Sequence, residues 1–350
     1  MRNRKKLSIQ QRKKDHLKIA LSPQAQIGNA GFENYKFIHN ALPEIDFDKI
    51  DLSAKFLGKK VSYPFFISCM TGGVTEGKII NRRLAAAAQK YGITMGVGSQ
   101  RAAIEHPKLE ELFSTREIAP DIPLIANVGL VQLNYGFGVK EFQKCIDMIK
   151  ADAIAIHINP IQEVIQPEGD RNFENLLPKL KKIIPRLSVP VIAKEVGFGL
   201  SFEVVKKLYK AGVRIFDTAG WGGTNWSFVE GKRQRGQAEL GELFSNWGIP
   251  TAESIVQVNK FKEEVQDKNI TIIGSGGIRN GIEIAKALCL GADLVGIAMP
   301  FAKAALESQE SVEKLIERYA LELKIAMFGV GAKNIKELKK VRLLKKSFNL

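Results

Sequence analysis

Cysteine is scarce in this sequence of 350 residues: Cys69, Cys145 and Cys289 are the three that occur, and they are far apart. Such numbers and spacing argue against a disulfide framework and a cysteine zinc site. No apolar run approaches the ~20 residues of a transmembrane helix, and no apolar segment follows the charged start as in a signal peptide. We therefore expect a cytoplasmic protein without a membrane partner.

Acidic residues are fewer than basic ones: the sequence has 37 Asp and Glu and 52 Lys and Arg, which gives a net charge of +15. The excess lies mainly within residues 2–18 and 333–346. Such basic ends attract nucleic acid, a membrane surface or a phosphorylated small molecule, unless they are simply solvated. Neither end has the interleaved aromatic residues that favour stacking on single-stranded nucleic acid. We expect a small-molecule partner and no nucleic acid.

From Val61 onward, a short apolar run, a break rich in Gly, Asn or Ser, and an amphipathic helical stretch recur eight times. The predicted strands are residues 64–68, 94–98, 124–128, 153–158, 191–196, 214–218, 270–273 and 294–298. The predicted helices are residues 76–91, 107–115, 139–150, 173–186, 202–211, 252–266, 280–290 and from 301 onward.

Strands that are apolar on consecutive residues and separated by helices indicate a parallel sheet covered on its outside. Eight such units predict an α/β protein with a (β/α)8 TIM barrel, and a doubly wound open sheet is the alternative. We expect an N-terminal extension over residues 1–60, the barrel over 61–326 and a basic, helical C-terminal tail over 327–350.

Polar residues cluster where the predicted strands end, which is where barrels place their functional groups. These clusters are 71–73, 99–101, Asn127, 157–163, Lys194, 218–224, 274–279 and 298–299.

The stretch from His157 to Glu163 (HINPIQE) is the most distinctive of these clusters. Pro160 prevents the strand from continuing, and an imidazole, an amide and a carboxylate crowd its end. A lone histidine is more often structural, but Gln162 and Glu163 beside it favour a functional site. Glu163 with substrate oxygens suits Mg2+, and a surface carboxylate is the alternative.

Two further clusters predict anion or cofactor contacts. Lys194 ends a buried strand, where its ammonium needs an anionic ligand or a structural partner such as Glu195. Residues 274–279 (GSGGIR) join a strand to a helix, so their backbone amides suit a phosphate, or else they form a tight turn.

Two connections are long enough to be lids or binding loops, 160–172 and 221–250. The second carries Lys232, Arg233 and Arg235, which we expect to close over an anion.

In these segments the chain resembles the type 2 isopentenyl-diphosphate isomerases, a family of flavin-dependent (β/α)8 barrels. Singly the matches are weak, but as an ordered set they are specific. They are 12–16 (RKKDH), 70–73 (MTGG), 99–101 (SQR), 157–163, 194–197 (KEVG), 222–224 (GGT), 244–251 (FSNWGIPT) and 274–279.

The resemblance implies isomerisation of isopentenyl diphosphate to dimethylallyl diphosphate with FMN, Mg2+ and a reductant such as NADPH, in a homo-oligomer that is a tetramer or an octamer. It implies catalytic roles for Gln162, His157 and Lys194, and Glu163 as the metal ligand. The implied substrate contacts are Arg12, Lys13, His16, Ser99, Gln100, Arg101, His157 and Gln162. The implied flavin contacts are Cys69, Met70, Thr71, Ser99, Asn127, Lys194, Thr224, Gly277, Ile278, Arg279, Ala298 and Met299.

Two alternative functions remain at this stage. An FMN-dependent α-hydroxy-acid oxidoreductase would have a catalytic histidine after the sixth strand, where this chain has 221–224 (WGGT). A non-enzymatic barrel that binds RNA or another anion would explain the basic ends but not the strand-end clusters. The one departure inside the flavin site is Cys69, where the family commonly has a smaller residue such as Ala or Ser.

Overall fold

The computed structural model describes residues 9–70, 75–233 and 236–346. The strands in these ranges are β1 (Tyr35–Phe37), β2 (Ala54–Phe56), β3 (Lys59–Val61), β4 (Phe65–Ile67), β5 (Met95–Gly96), β6 (Leu124–Gly129), β7 (Ala153–Ile158), β8 (Val191–Glu195), β9 (Ile215–Asp217), β10 (Thr271–Ser275), β11 (Leu294–Ile297) and β12 (Leu343–Lys345).

The helices in the same ranges are α1 (Ile9–Ala20), α2 (Thr75–Tyr91), α3 (Arg101–Glu105), α4 (Val139–Met148), α5 (Pro160–Ile165), α6 (Leu176–Ile183), α7 (Phe202–Lys210), α8 (Trp226–Arg233), α9 (Ala238–Leu243), α10 (Thr251–Val265), α11 (Gly281–Cys289), α12 (Met299–Glu307), α13 (Gln309–Gly329) and α14 (Ile335–Leu338). None of them is long and apolar enough to cross a membrane.

Strands β4 to β11 form a closed barrel of parallel strands in chain order, with β11 paired to β4. The predicted TIM barrel is therefore confirmed, and the open doubly wound sheet is wrong. Each predicted barrel strand is present, with its ends shifted by at most two residues. The predicted helix at 107–115 is instead a 3-10 helix, Pro107–Phe113, that follows α3.

Alternate side chains of the barrel strands pack in two different layers. The larger apolar cluster lies between the strands and the surrounding helices. A smaller cluster, which includes Phe66, Ile125, Ile192 and Ile273, fills the barrel interior. Phe56 of β2 joins this inner cluster and stacks on Phe66 with ring centroids 6.4 Å apart. The interior is therefore a packed core, and the space for a ligand lies at the rim.

The N-terminal extension is more ordered than its sequence pattern predicts. The sequence before Val61 has no sustained hydrophobic periodicity, yet α1 is formed. The chain after α1 runs along the connection that follows β9. Ile27 N donates to Gly223 O at 3.0 Å, and Asn225 N donates to Ala25 O at 2.8 Å. Because a short helix depends on tertiary packing for its stability, its own sequence is a weak predictor.

The C-terminal tail is not only helical, which corrects the expectation from sequence. After α14, β12 pairs antiparallel with β1, and Tyr35 lies opposite Lys345. The backbone of 333–346 is therefore part of the fold, while most of its basic side chains are exposed to solvent. A three-residue strand paired across the whole chain has no local sequence signal that distinguishes it from a loop.

Phe56 tests the packing of the barrel interior. It is 3% exposed, so Phe56→Ala should leave a cavity and lower the free energy of unfolding by about 3–5 kcal/mol. Urea denaturation followed by circular dichroism measures this difference. Leu42→Ala is the matched control, because Leu42 is 73% exposed and should change stability by less than about 0.5 kcal/mol. Equal stabilities of the two variants would contradict the interior assignment.

Candidate active site

A cavity of about 260 Å3 lies at the carboxyl ends of the barrel strands and is partly covered by α1. It brings together nearly all the residues that the sequence predicts for the site. Those that line it are Arg12, Lys13, His16, Cys69, Met70, Ser99, Arg101, Asn127, His157, Gln162, Glu163, Lys194, Thr224, Gly277, Ile278, Arg279, Ala298 and Met299. Thr71 lies outside the described residues.

Gln100 is the predicted substrate contact that the structure turns away from the cavity. Its side chain is fully buried. Its Nε2 donates to Cys145 O at 2.9 Å, and its Oε1 accepts from Asn127 N at 2.9 Å. Gln100 thus holds the segment after β5 against β6 and α4, while its neighbours Ser99 and Arg101 face the cavity.

His157 presents one ring nitrogen to the cavity and uses the other for support. Its Nδ1 lies 2.8 Å from Oδ1 of Asn127. Because the amide oxygen accepts, Nδ1 carries the proton and Nε2 is left as an acceptor. Burial, together with the positive charges of Lys194 and Arg101, lowers the pKa of His157 to about 4. The imidazole is therefore neutral at physiological pH.

Glycine at position 129 leaves room for this ring. A Cβ atom there would lie 3.0 Å from Nε2 of His157, closer than carbon and nitrogen normally approach. Gly129 ends β6 beside β7, so the packing of these two strands sets the position of the imidazole.

Three basic side chains converge on one side of the cavity, Arg12 and Lys13 from α1 and Arg101 from α3. Lys13 Nζ donates to the carbonyl oxygen of Ser99 at 3.1 Å. Burial and the nearby charge of Arg12 lower the pKa of Lys13 to about 7. A bound anion would restore the charge of this lysine, so the cluster suits a multiply charged anion such as a diphosphate.

Glu230, which the sequence analysis did not single out, joins α1, α5 and α8. Its carboxylate accepts from Gln162 Nε2 and Arg233 Nε, each at 2.9 Å, and it also lies 2.9 Å from His16 Nε2. Burial alone would raise the pKa of Glu230, but the adjacent His16 and Arg233 lower it. Glu230 therefore stays ionised and fixes the Gln162 amide. A glutamate within an amphipathic helix carries no sequence signal for such a role.

The basic residues of the connection after β9 do not act as predicted. Arg233 has a fully buried side chain, paired with Glu230 and with Glu168 at 2.6 Å, so it is committed to the fold. Lys232 pairs with Glu242 at 2.8 Å on the surface. Arg235 lies outside the described residues. The expected closure of Lys232 and Arg233 over an anion is wrong, because carboxylates already neutralise both.

Glu163 and Gln162 are held side by side on α5. Asn159 Nδ2 donates to Oε1 of Glu163 at 2.9 Å and to Oε1 of Gln162 at 3.1 Å. The other oxygen of Glu163 accepts from Asp170 N at 2.7 Å. Burial raises the pKa of Glu163. A cation at this carboxylate would favour its ionised form.

Lys194 lies in the cavity wall, and its acidic partner is Asp217 and not Glu195, the structural partner that the sequence offered as the alternative to a ligand. The Lys194 and Asp217 charges are 3.7 Å apart, while Lys194 Nζ donates to Glu195 O at 2.9 Å. The Glu195 carboxylate instead accepts from the backbone amides of 196–198. Burial raises the pKa of Asp217, and raises that of Glu195 to about 7.

The glycine-rich turns after β9 and β10 pack directly against each other. Gly277 has φ 68°, and a Cβ there would lie 2.2 Å from Gly222 O. Gln26 connects both turns to the N-terminal extension, because it accepts from Arg279 Nη2 at 2.6 Å and donates to Thr224 Oγ1 at 3.0 Å. Gly277 and Arg279 both line the cavity, so a phosphate group could bind here beside an arginine.

The low pKa of His157 gives a prediction for its titration. We expect its imidazole to stay neutral down to about pH 5, whereas in the unfolded chain it titrates near 6.5. As the pH falls, His157 is protonated in the unfolded state before it is protonated in the folded state, which favours unfolding. The stability due to the neutral ring is therefore complete above about pH 6.5 and is lost as the pH falls toward 4.

Proton NMR of the His157 Cε1–H resonance, assigned by its absence from His157→Gln, measures this titration. His157→Gln should also lose less stability than the wild type on acidification through that range. A titration midpoint near 6.5 in the folded protein would contradict the neutral acceptor.

Comparisons with known proteins agree with this geometry. The family model described as FMN-dependent dehydrogenase matches residues 23–112 and 172–345. An isopentenyl-diphosphate delta-isomerase of Nostoc sp. is 49% identical over 334 residues, which cover 94% of each chain. The enzyme of the same name from Rickettsia bellii is 48% identical over 335 residues, 95% of this chain and 96% of the relative.

Solved structures of two other enzymes share the fold at low sequence identity. A flavocytochrome b2 with pyruvate bound has a TM-score of 0.68 and 18% identity, over 94% of this chain and 82% of that chain. A mandelate oxidase with a difluorinated hydroxy acid has a TM-score of 0.63 and 16% identity, over 97% of this chain and 98% of that chain. At these identities the similarity shows the barrel fold alone.

Proposed function

The chain belongs to the isopentenyl-diphosphate delta-isomerases, within the FMN-dependent dehydrogenase family, and we propose how its cavity carries out the isomerisation. It is an FMN-dependent enzyme that converts isopentenyl diphosphate to dimethylallyl diphosphate. Neither an α-hydroxy-acid oxidoreductase nor a non-enzymatic barrel is favoured by these relatives. The observation that carries the proposal is that one cavity combines a basic cluster, the fixed Gln162–Glu163 pair and Lys194.

FMN fits the side of the cavity formed by the turns after β9 and β10. Gly276, Gly277 and Arg279 line this side of the cavity and would bind the flavin phosphate. Lys194 is 3.7 Å from Asp217, longer than a hydrogen bond, so its ammonium keeps donors for a ligand. Cys69 suits the ring contact as a neutral thiol, because burial raises its pKa to about 11. We assign the remaining flavin contacts as the resemblance implies.

The opposite side of the cavity fits a diphosphate with Mg2+. Arg12, Lys13 and Arg101 supply the cations for the phosphate oxygens, and Glu163 supplies the carboxylate for the metal. Within the described ranges no group of three or more His, Cys, Asp or Glu side chains is placed to bind a metal. Mg2+ would therefore take its other ligands from the diphosphate and from water, which suits its preference for few protein ligands.

The reaction moves a double bond without net oxidation, and reduced FMN supplies the acid–base group that exchanges protons with the isoprenoid carbons. The residues of this chain position the substrate and exclude water. Leu17, Leu21 and Trp226 contribute apolar surface to the cavity wall, where a developing tertiary cation needs protection from water. The ammonium of Lys194 would stabilise negative charge on the bound, reduced flavin.

Gln162 and His157 orient the substrate in this proposal. The Gln162 amide is fixed by Glu230 and Asn159, so it can hold the reacting carbons in one orientation or relay a proton. Neutral His157 offers Nε2 as an acceptor and adds no positive charge beside the forming cation. We also keep His16 as a substrate contact, since Glu230 holds its ring at the cavity.

Other parts of the proposal rest on the family resemblance. We propose that NADPH reduces the flavin, that the protein is cytoplasmic, and that it works as a tetramer or octamer. We also keep the division into a diphosphate-binding extension over 1–60, the barrel over 61–326 and a tail over 327–350. Light scattering on the FMN-loaded protein measures the oligomeric state, and stopped-flow reduction compares NADPH with NADH.

The visible absorption spectrum, followed by product analysis, tests the proposal as a whole. The purified protein should be yellow and should form dimethylallyl diphosphate from isopentenyl diphosphate and Mg2+ only after its flavin is reduced. A yellow but inactive protein would reject the isomerase. A colourless protein that neither binds added FMN nor isomerises the substrate would reject the flavin site as well.

Glu163→Gln tests the metal site. The variant keeps an oxygen for Asn159 but loses the charge for Mg2+, so the Mg2+ concentration for half-maximal activity should rise by about tenfold or more while FMN stays bound. Steady-state kinetics over a Mg2+ titration measures the change. Glu174→Gln, an exposed position in the following connection, is the control. A normal Mg2+ response of Glu163→Gln would remove Glu163 from this role.

A further inference from the structure

Asp170, which neither the sequence motifs nor the family comparison assigns a role, makes contacts in two directions. It lies between α5 and α6 and is 9% exposed. Its side-chain Oδ2 accepts from Arg101 Nη1 and, at 2.9 Å, from Gln132 Nε2. Its backbone N–H donates to Glu163 Oε2 at 2.7 Å. Asp170 thus contacts Arg101, a proposed diphosphate ligand, through its side chain, and Glu163, the proposed metal ligand, through its main chain.

The preceding residue makes this arrangement sterically specific. A Cβ atom at Gly169 would lie 1.9 Å from Glu163 O, so only glycine allows the two segments to come this close. Gly169 N in turn donates to Gln166 O at 3.0 Å. The main chain at Asp170 is therefore fixed against α5.

These contacts tie together three segments that follow adjacent barrel strands. Arg101 comes after β5, Gln132 after β6 and Glu163 after β7. The other carboxylate on Arg101 is Glu105 at 2.8 Å, one turn along the same helix, and such a pair does not fix α3 relative to α5. The contact that sets Arg101 relative to Glu163 is the one through Asp170.

We propose that Asp170 is a positioning residue that sets the spacing between Arg101 and Glu163, so that a diphosphate and Mg2+ bind there as a pair. The proposal deepens the proposed function and rests on it for the identity of the two ligands. Asp170 itself need not contact either ligand. It acts by keeping the guanidinium and the carboxylate at the separation that a metal-bound diphosphate bridges.

The direction of the change in pyrophosphate affinity on mutation distinguishes positioning by Asp170 from a simple effect of its charge. A carboxylate near an anion site repels the anion, so removing its charge alone should strengthen pyrophosphate binding. Removing the contact that positions Arg101 and Glu163 should instead weaken it. Asp170→Asn loses the charge and weakens the contact with Arg101, whereas Asp170→Glu keeps the charge but displaces it by one methylene.

The experiment uses the full-length, FMN-loaded protein and inorganic pyrophosphate as the probe. Calorimetric titrations with and without Mg2+ give the pyrophosphate affinity of the wild type and of each variant. We expect Asp170→Asn and Asp170→Glu each to weaken Mg2+-dependent binding by about tenfold, with the flavin spectrum unchanged. Glu168→Gln removes a carboxylate from the same connection, where its partner is Arg233, and should not weaken binding.

Unchanged or tighter pyrophosphate binding in both Asp170 variants would overturn the proposal, as would a wild type that binds no pyrophosphate with Mg2+. If Asp170→Asn does not fold, as judged by loss of FMN, the Asp170→Glu result decides. Pyrophosphate binding requires no turnover, so a wild type that binds the probe but does not isomerise would reject the proposed function and leave Asp170 in its positioning role.

Discussion

The geometry of the site depends on charged side chains that pair across different segments at the rim of the barrel. Each central pair joins different segments: Glu230 with His16, Lys194 with Asp217, and Arg101 with Asp170. Lys194 and Asp217 are both buried, so separating them would leave an uncompensated charge at a cost of several kcal/mol. The same contacts that neutralise the charges therefore keep the cavity in one shape.

The pairing also divides the cavity into two functional sides. On the proposed flavin side, Asp217 offsets Lys194, and Arg279 remains available for the flavin phosphate. On the proposed diphosphate side, cations from α1 and α3 line the same cavity as the carboxylate of Glu163. Between the two sides, the neutral His157 and the fixed Gln162 face the space where an uncharged isoprenoid chain would lie. The cations would thus bind the diphosphate of the proposed substrate, and the neutral side chains would surround its hydrocarbon chain.

The barrel and most of the residues that line its cavity could be predicted because their signals are local. Apolar runs, glycine-rich turns and polar strand ends repeat along the chain, and the ordered motifs near Arg12, His157 and Lys194 match one family. The partners of these residues could not be predicted. Glu230 is far along the chain from its partner His16, and Asp170 is far from its partner Arg101. Gln100 is polar like its neighbours Ser99 and Arg101, but its side chain contacts α4 and not the cavity. Such contacts exist only after the barrel closes.

The crystal structure of the FMN-loaded protein with Mg2+ and pyrophosphate is the most direct test of the shared cavity. We expect the flavin beside Lys194 and the 274–279 turn, the phosphates between Arg12, Lys13 and Arg101, and the metal on Glu163. Pyrophosphate bound instead at the basic residues of 333–346, or a flavin outside the cavity, would contradict the placement of the two ligands in one site.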